Sequence, residues 1–166
     1  GKEKSLIISA TGTGKTILCA LDVRSFNPKR FLFIVHNEGI LNRAKEEFRK
    51  VMPHIDEKEF GLLTGKHKDI NARYLFATIQ TLSNNENFKE FAKDHFDYIV
   101  FDEAHRSAAA SYQKVFNYFT PKFMLGMTAT PERTDDLNIF ELFDYNVAFE
   151  IRLQAVSYTH LRAHET

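Results

Sequence analysis

Five consecutive large apolar residues, Phe31-Leu32-Phe33-Ile34-Val35, constrain this chain more than any other feature. A strand sends alternate side chains to opposite faces, so an unbroken apolar run is dry only when both faces are covered. The run is followed by a helix-length segment, Glu38 to Val51, in which Ile40, Leu41, Ala44, Phe48 and Val51 recur at one-face helical spacing. Arg43, Lys45, Glu46, Glu47, Arg49 and Lys50 fill the other side, a mixed-sign set that reads as a solvated face. The pairing recurs: Leu6-Ile7-Ile8 precedes a helical segment from Lys15 to about Phe26. Further strands are expected at Gly61-Leu62-Leu63, Tyr74 to Ala77, Tyr98 to Phe101 and Phe123 to Met127. Between the last two, Ala108, Tyr112, Val115, Phe116 and Phe119 mark the buried stripe of a helix that Pro121 helps to end. Strand and helix in alternation are the rhythm of a parallel sheet joined by right-handed crossovers. The expected fold class is therefore α/β, a mostly parallel sheet flanked by helices on both faces, over residues 1–155.

Composition narrows the classes of function. With 166 residues, 43% apolar content and 27% charged residues, the chain can build a core and lies far from the disordered regime. No apolar run approaches the roughly 20 residues of a spanning helix, and Gly1-Lys2-Glu3-Lys4 lacks a signal core, so a soluble cytoplasmic domain is expected. A lone cysteine, Cys19, can form neither an internal disulfide nor a thiolate cage, fits a reducing compartment, and reads as a small core residue. Twenty-two basic residues balance 22 acidic ones, which excludes capture of a partner by bulk positive field and leaves nucleic acid possible only through local contacts. The chain does not open on Met and carries its first strong motif within fifteen residues, so it is expected to start inside a longer protein.

Two segments carry the chemistry. Ser9-Ala10-Thr11-Gly12-Thr13-Gly14-Lys15-Thr16 lies between the first strand and the first helix. Glycines there let backbone N–H groups approach phosphate oxygens at the positive end of a helix, Lys15 would reach the terminal phosphates, and the Thr16 hydroxyl would ligate Mg²⁺. The usual phosphate-loop pattern begins with Gly, where this chain has Ser9. The second segment, Asp102-Glu103-Ala104-His105, follows the apolar run Tyr98 to Phe101, and acids at the C-terminal edge of a buried parallel strand stand where open α/β sheets bind ligands. Asp102 suits holding Mg²⁺ through water, and Glu103 suits accepting a proton from an attacking water.

Together these residues resemble the superfamily 2 helicases and translocases of the DEAH-box type, and particularly the helicase portion related to type III restriction subunits. The resemblance spans residues 1 to about 155. It is carried in order by Ala10 to Thr16, Val35-His36-Asn37, Ala77-Thr78-Ile79-Gln80-Thr81-Leu82, Asp102 to His105 and Thr128-Ala129-Thr130-Pro131. It implies a RecA-like P-loop domain that binds ATP and Mg²⁺ at Thr11, Gly12, Thr13, Gly14, Lys15, Thr16, Asp102 and Glu103, with Lys15 and Glu103 catalytic. It further implies that His105, Thr128 and Thr130 couple the nucleotide to the nucleic-acid groove and to a second RecA-like domain of the same polypeptide. His36, Asn37, Thr78, Gln80 and Thr81 match the family's strand-gripping positions and would hold phosphates of DNA, or of RNA, without reading bases. The alternative for these polar residues is ordinary capping at strand ends. Lys66-His67-Lys68 is a further basic loop, read as solvated.

Residues 156–166, Val156 to Thr166, show no helical or strand repeat and resemble the in-frame translation of a sequencing-library adapter, so they are expected to be non-native. His160 and His164 have a spacing that can bind zinc, but no third ligand or general base accompanies them. The reading that follows is the motor-domain fragment of an ATP-dependent helicase or translocase. The competing readings are a P-loop ATPase that never touches nucleic acid, and an inert truncated fragment.

Overall fold

The computed structural model describes residues 3–9, 14–103, 110–129 and 147–151. In chain order the elements are β1 (Glu3–Ser9), α1 (Lys15–Phe26), β2 (Phe31–Val35), α2 (Glu38–Val51), β3 (Phe60–Leu63), β4 (Tyr74–Thr78), α3 (Ile79–Ser83), β5 (Tyr98–Asp102), α4 (Ala110–Tyr118), β6 (Phe123–Ala129) and β7 (Val147–Ile151). Among the described residues, seven strands form one sheet in the order β3-β4-β2-β5-β6-β1-β7. Each adjacent pair is parallel. The expected strands and helices are all present where they are described, with Ala108 lying outside the described residues. The short helix α3 and strand β7 are additions that no sequence periodicity announces, because each is only five residues long.

The apolar run Phe31 to Val35 behaves as its pattern requires. Phe31, Phe33 and Val35 join one buried cluster with Cys19, Ala20 and Val23 of α1 and Leu41, Ala44 and Phe48 of α2. Leu32 and Ile34, on the other face, join Ile79 and Leu82 of α3 and Val115 and Phe116 of α4. Every residue of β2 is fully buried, so a run with no polar member is the only one that this central position tolerates. The Phe31 ring lies 5.2 Å from Phe48 and 5.5 Å from Tyr98, tying β2 to α2 and β5. Truncation by Phe31→Ala would leave a cavity between three elements and is expected to cost about 3–5 kcal/mol in denaturant unfolding.

Helix ends are set by local chemistry. Asn37 caps α2 by accepting a 2.7 Å hydrogen bond from the Gly39 N–H, and Arg49 and Lys50 sit in its last turn, where the helix dipole favours cations. Asn27, at φ +55°, ends α1 by donating its N–H to the Val23 carbonyl at 2.8 Å. Gly61 is required for space: a Cβ there would stand 2.6 Å from the Cβ atoms of both Ala72 and Asp69. That close approach lets the β3–β4 connection fold back on its own strand, where Asp69 Oδ2 accepts from the Leu62 N–H at 2.9 Å. No helix among the described residues is long and apolar enough to cross a membrane.

Candidate functional site

Parallel strands deliver their C-terminal ends to one rim, and register shows what meets there. Ser9, the last residue of β1, is opposite Ala129 of β6, Ile8 is opposite Thr128, and on the other side of β6 Asp102 is opposite Met127. The start of α1, the end of β5 and Thr128 are therefore neighbours across three adjacent strands. Lys15, the first residue of α1, places its Nζ 2.9 Å from Asp102 Oδ1 and 3.2 Å from Glu103 Oε1. The three groups are 87 or more positions apart from lysine to acids, so only the sheet order brings them together.

Backbone conformation supports the cluster. Gly14 sits at φ +91° with open space where a Cβ would be, so glycine is needed there for its backbone angle alone. Among the described residues no side chain caps α1 and no acid lies in its first turn, which leaves the positive end of a twelve-residue helix facing the rim. Glu103 also adopts a left-handed conformation, φ +55°, which costs a residue with a Cβ about 1–2 kcal/mol. The Glu103 N–H donates to Asp102 Oδ1 at 2.9 Å, so the first acid braces the second.

Charge is concentrated and dry. The side chains of Lys15, Asp102 and Glu103 are 6%, 4% and 23% exposed. Burial works against the Lys15 ammonium, but Asp102 and then Glu103 outweigh it and hold its pKa above the ordinary lysine value. A buried cation beside two carboxylates, at a helix start, is a donor and acceptor set that suits a nucleotide's phosphates together with a hard divalent cation. Asp102 and Glu103 present carboxylate oxygens in this cluster, and Thr16, the second residue of α1, is half-buried. No group of three or more His, Cys, Asp or Glu gathers among the described residues. Thr11, Gly12, Thr13, His105 and Thr130 lie outside the described residues. Thr128 is within them and is 1% exposed.

The strand-gripping candidates occupy the same rim on β2 and β4. Val35 is opposite Thr78, so His36 and Asn37 emerge beside the Thr78–Thr81 turn, and Gln80 Nε2 donates to the His36 carbonyl at 2.9 Å. The Asn37 side chain caps α2, and Thr78 Oγ1 caps α3 while sharing a 2.7 Å hydrogen bond with Thr81 Oγ1. Capping is thus real at both positions. His36 Nδ1 is shielded and has no hydrogen-bond partner among the described residues. The basic loop is more than a solvated run: Thr64, Lys66, His67 and Lys68 border a cleft of about 300 Å³ whose opposite wall includes Thr81, Asn84 and Asn87. Thr64 Oγ1 accepts from the N–H groups of Lys66 and His67 at 3.1 and 3.2 Å, which shapes that loop. Sequence reasoning left this pairing out because the loop and Thr81 are joined only by the adjacency of β3 and β4.

A family profile described as "Type III restriction enzyme, res subunit" matches residues 1–133. The chain belongs to this family. Within the res-subunit family's wider kin, it is 29% identical over 158 residues to the type I restriction enzyme EcoAI endonuclease subunit of Escherichia coli, covering 86% of this chain and 18% of that protein. It is 26% identical to the DNA 3'-5' translocase XPB2 of Sulfurisphaera tokodaii, covering 81% of this chain and 28% of the relative. The helicase domain of Pyrococcus furiosus Hef superposes with a TM-score of 0.76 at 20% identity, over 95% of this chain and 37% of that one. The Sulfolobus solfataricus SWI2/SNF2 ATPase core, solved in complex with dsDNA, gives 0.66 at 24% identity, over 85% and 31%. The fold is thus an α/β RecA-like domain of the kind these structures share. The res-subunit chain spans less than a third of the length of these curated relatives.

Proposed function

We propose that this chain is the first motor domain of an ATP-dependent helicase or translocase, with residues 1–155 forming the domain and residues 156–166 not native to it. The observation that carries the reading is the convergence of Lys15, Asp102 and Glu103, at 2.9 and 3.2 Å, on the rim of a parallel sheet. In this reading Lys15 and the N-terminal amides of α1 bind the phosphates of ATP. Asp102 and Thr16 hold magnesium, and Glu103 takes the proton of the attacking water. Magnesium, when bound, neutralises charge on the phosphate oxygens during transfer. Lys15 in the present arrangement pairs with both acids, and an arriving triphosphate would compete with them for its ammonium. Phosphoryl transfer also draws on an arginine, which a second RecA-like domain of the same polypeptide would supply, so the chain alone is expected to turn ATP over slowly.

Nucleic acid, DNA more than RNA, is the proposed track. His36, Asn37, Gln80, Thr81 and the Lys66–Lys68 loop line one continuous stretch of rim, and they carry neutral donors and local positive charge suited to a phosphate backbone. Thr128, on β6 between the ends of β1 and β5, is the described candidate for coupling the two sites. ATPase measurement on a longer protein carrying this chain, with and without single-stranded DNA across a salt series, tests the reading. Stimulation that fades as salt rises is expected, because phosphate contacts release counterions. ATP hydrolysis indifferent to any nucleic acid would favour a P-loop ATPase with another partner, a reading to which the capping roles of Asn37 and Thr78 lend some weight.

A further inference from the structure

One polar contact in the otherwise apolar packing of α1 on the sheet has no role so far. Tyr98, at the start of β5, is fully buried, with its ring walled by Phe26, Phe31 and Phe123 at 5.1, 5.5 and 4.8 Å. At the edge of this packing its hydroxyl donates a 2.6 Å hydrogen bond to Oδ2 of Asp22, an exposed residue of α1. The same helix and strand meet again at their other ends, where Lys15 contacts Asp102. Lys15 and Asp22 are separated by about 10 Å of helix rise, and Tyr98 and Asp102 by about 13 Å of strand. Two short polar ties at nearly matched spacing span the helix–strand contact from end to end.

Apolar packing is non-directional and tolerates small axial slides, whereas a 2.6 Å hydrogen bond does not survive a shift of one residue, about 1.5 Å along the helix. We infer that the Tyr98–Asp22 hydrogen bond is a positioning clamp that sets the register of α1 on β5 and thereby holds Lys15 against Asp102 and Glu103. Tyr98 and Asp22 are in this sense positioning residues for the nucleotide site, and neither touches the nucleotide. The clamp rests on the nucleotide reading proposed above for its consequence, but its geometric part does not. Burial first, and then the neighbouring Cys19 and Asp22, push the phenol's pKa far up, so the hydroxyl stays a donor across the working pH range.

The chain carries its own reporter. Cys19, its single cysteine, lies on α1 between Lys15 and Asp22 and is fully buried. In the full chain, Tyr98→Phe removes only the hydroxyl. The expected results are Cys19 labelling by a thiol reagent about three- to tenfold faster under native conditions and ATP bound about three- to tenfold more weakly, the worth of one hydrogen bond. Asp22→Asn keeps a carbonyl acceptor and should restore both readouts, while Asp22→Ala should match Tyr98→Phe, with the double variant no worse than either. Val115→Ala, on the opposite face of the sheet, serves as a control for general loss of stability and should not weaken ATP binding. If Tyr98→Phe lowers the unfolding midpoint but leaves Cys19 protection and ATP binding unchanged, the hydroxyl merely satisfies its own burial and the inference is overturned. If the unaltered chain binds no ATP, the nucleotide reading fails by itself. Cys19 protection then decides the clamp: labelling faster in Tyr98→Phe than in a Val115→Ala chain of equal unfolding midpoint upholds it, and an equal or slower rate overturns it.

Discussion

Two stretches of one sheet rim are built on opposite electrostatic plans. At the ends of β1 and β5, three charged side chains are packed together with little access to water, and one of them sits on strained backbone. At the ends of β2 and β4, Asn37, Thr78, Gln80 and Thr81 are spent on capping, on each other and on main-chain carbonyls, and full charge appears beside them in the Lys66–Lys68 loop, where Lys68 pairs with Glu90 at 3.6 Å. Coulomb interactions are strong in a dry pocket and weak at a wet surface, so the first stretch suits a compact, multiply charged group and the second a long polymer held by many weak contacts. The sheet carries both plans because its strand order puts β2 and β4 on one side of β5 and β6 and β1 on the other.

The sharpest way to break this contrast lies in the charged stretch. Glu103→Gln in a longer protein carrying this chain should keep ATP binding while lowering kcat about a hundredfold or more, since an amide cannot take the proton from water. Full turnover in that variant would remove Glu103 from the chemistry. Lys15→Ala is next: it leaves Asp102 and Glu103 facing each other without a cation, and about 3 kcal/mol of stability should disappear in urea unfolding along with nucleotide affinity. The neutral stretch should respond more mildly. Gln80→Ala is expected to weaken single-stranded DNA binding about three- to tenfold with an unchanged salt slope. Lys66→Ala should lower the steepness of that slope by about 0.7, because one phosphate contact fewer releases counterions on binding. Identical slopes in the two variants would erase the distinction between the stretches.

The smallest effect concerns pH. Lys15 has its pKa raised above the ordinary 10.5, so its ion pairs contribute fully below that value, and the contribution is lost as pH rises through the raised one. The stability difference between the unaltered chain and Lys15→Met should therefore be flat up to about pH 10 and shrink beyond it. A difference that narrows already near neutrality would mean that the lysine is not held as the structure holds it.

Much of this architecture was legible in the residues. Phe31 to Val35 announced a strand covered on both faces, and the helical spacing from Ile40 to Val51 announced α2, because periodicity reports directly on which sides must be dry. Lys15 and the Asp102/Glu103 pair were legible as chemistry, since each sits where a buried strand hands over to a turn. Asn37 and Thr78 were legible only as polar strand ends, and their capping bonds depend on where the following helix starts. The Lys66–Lys68 loop looked like any solvated basic run until the adjacency of β3 and β4 brought it to Thr81 across a cleft.

Local order along the chain determined which segments are strands, which are helices and which residue types stand at their ends, because those properties depend on near neighbours. What only the tertiary structure decided is which ends meet. Lys15 meets Asp102 because β6 lies between β1 and β5, and Tyr98 meets Asp22 because α1 lies along β5. Sheet order and helix register are settled by the mutual burial of distant apolar surfaces, and no stretch of sequence carries that information by itself.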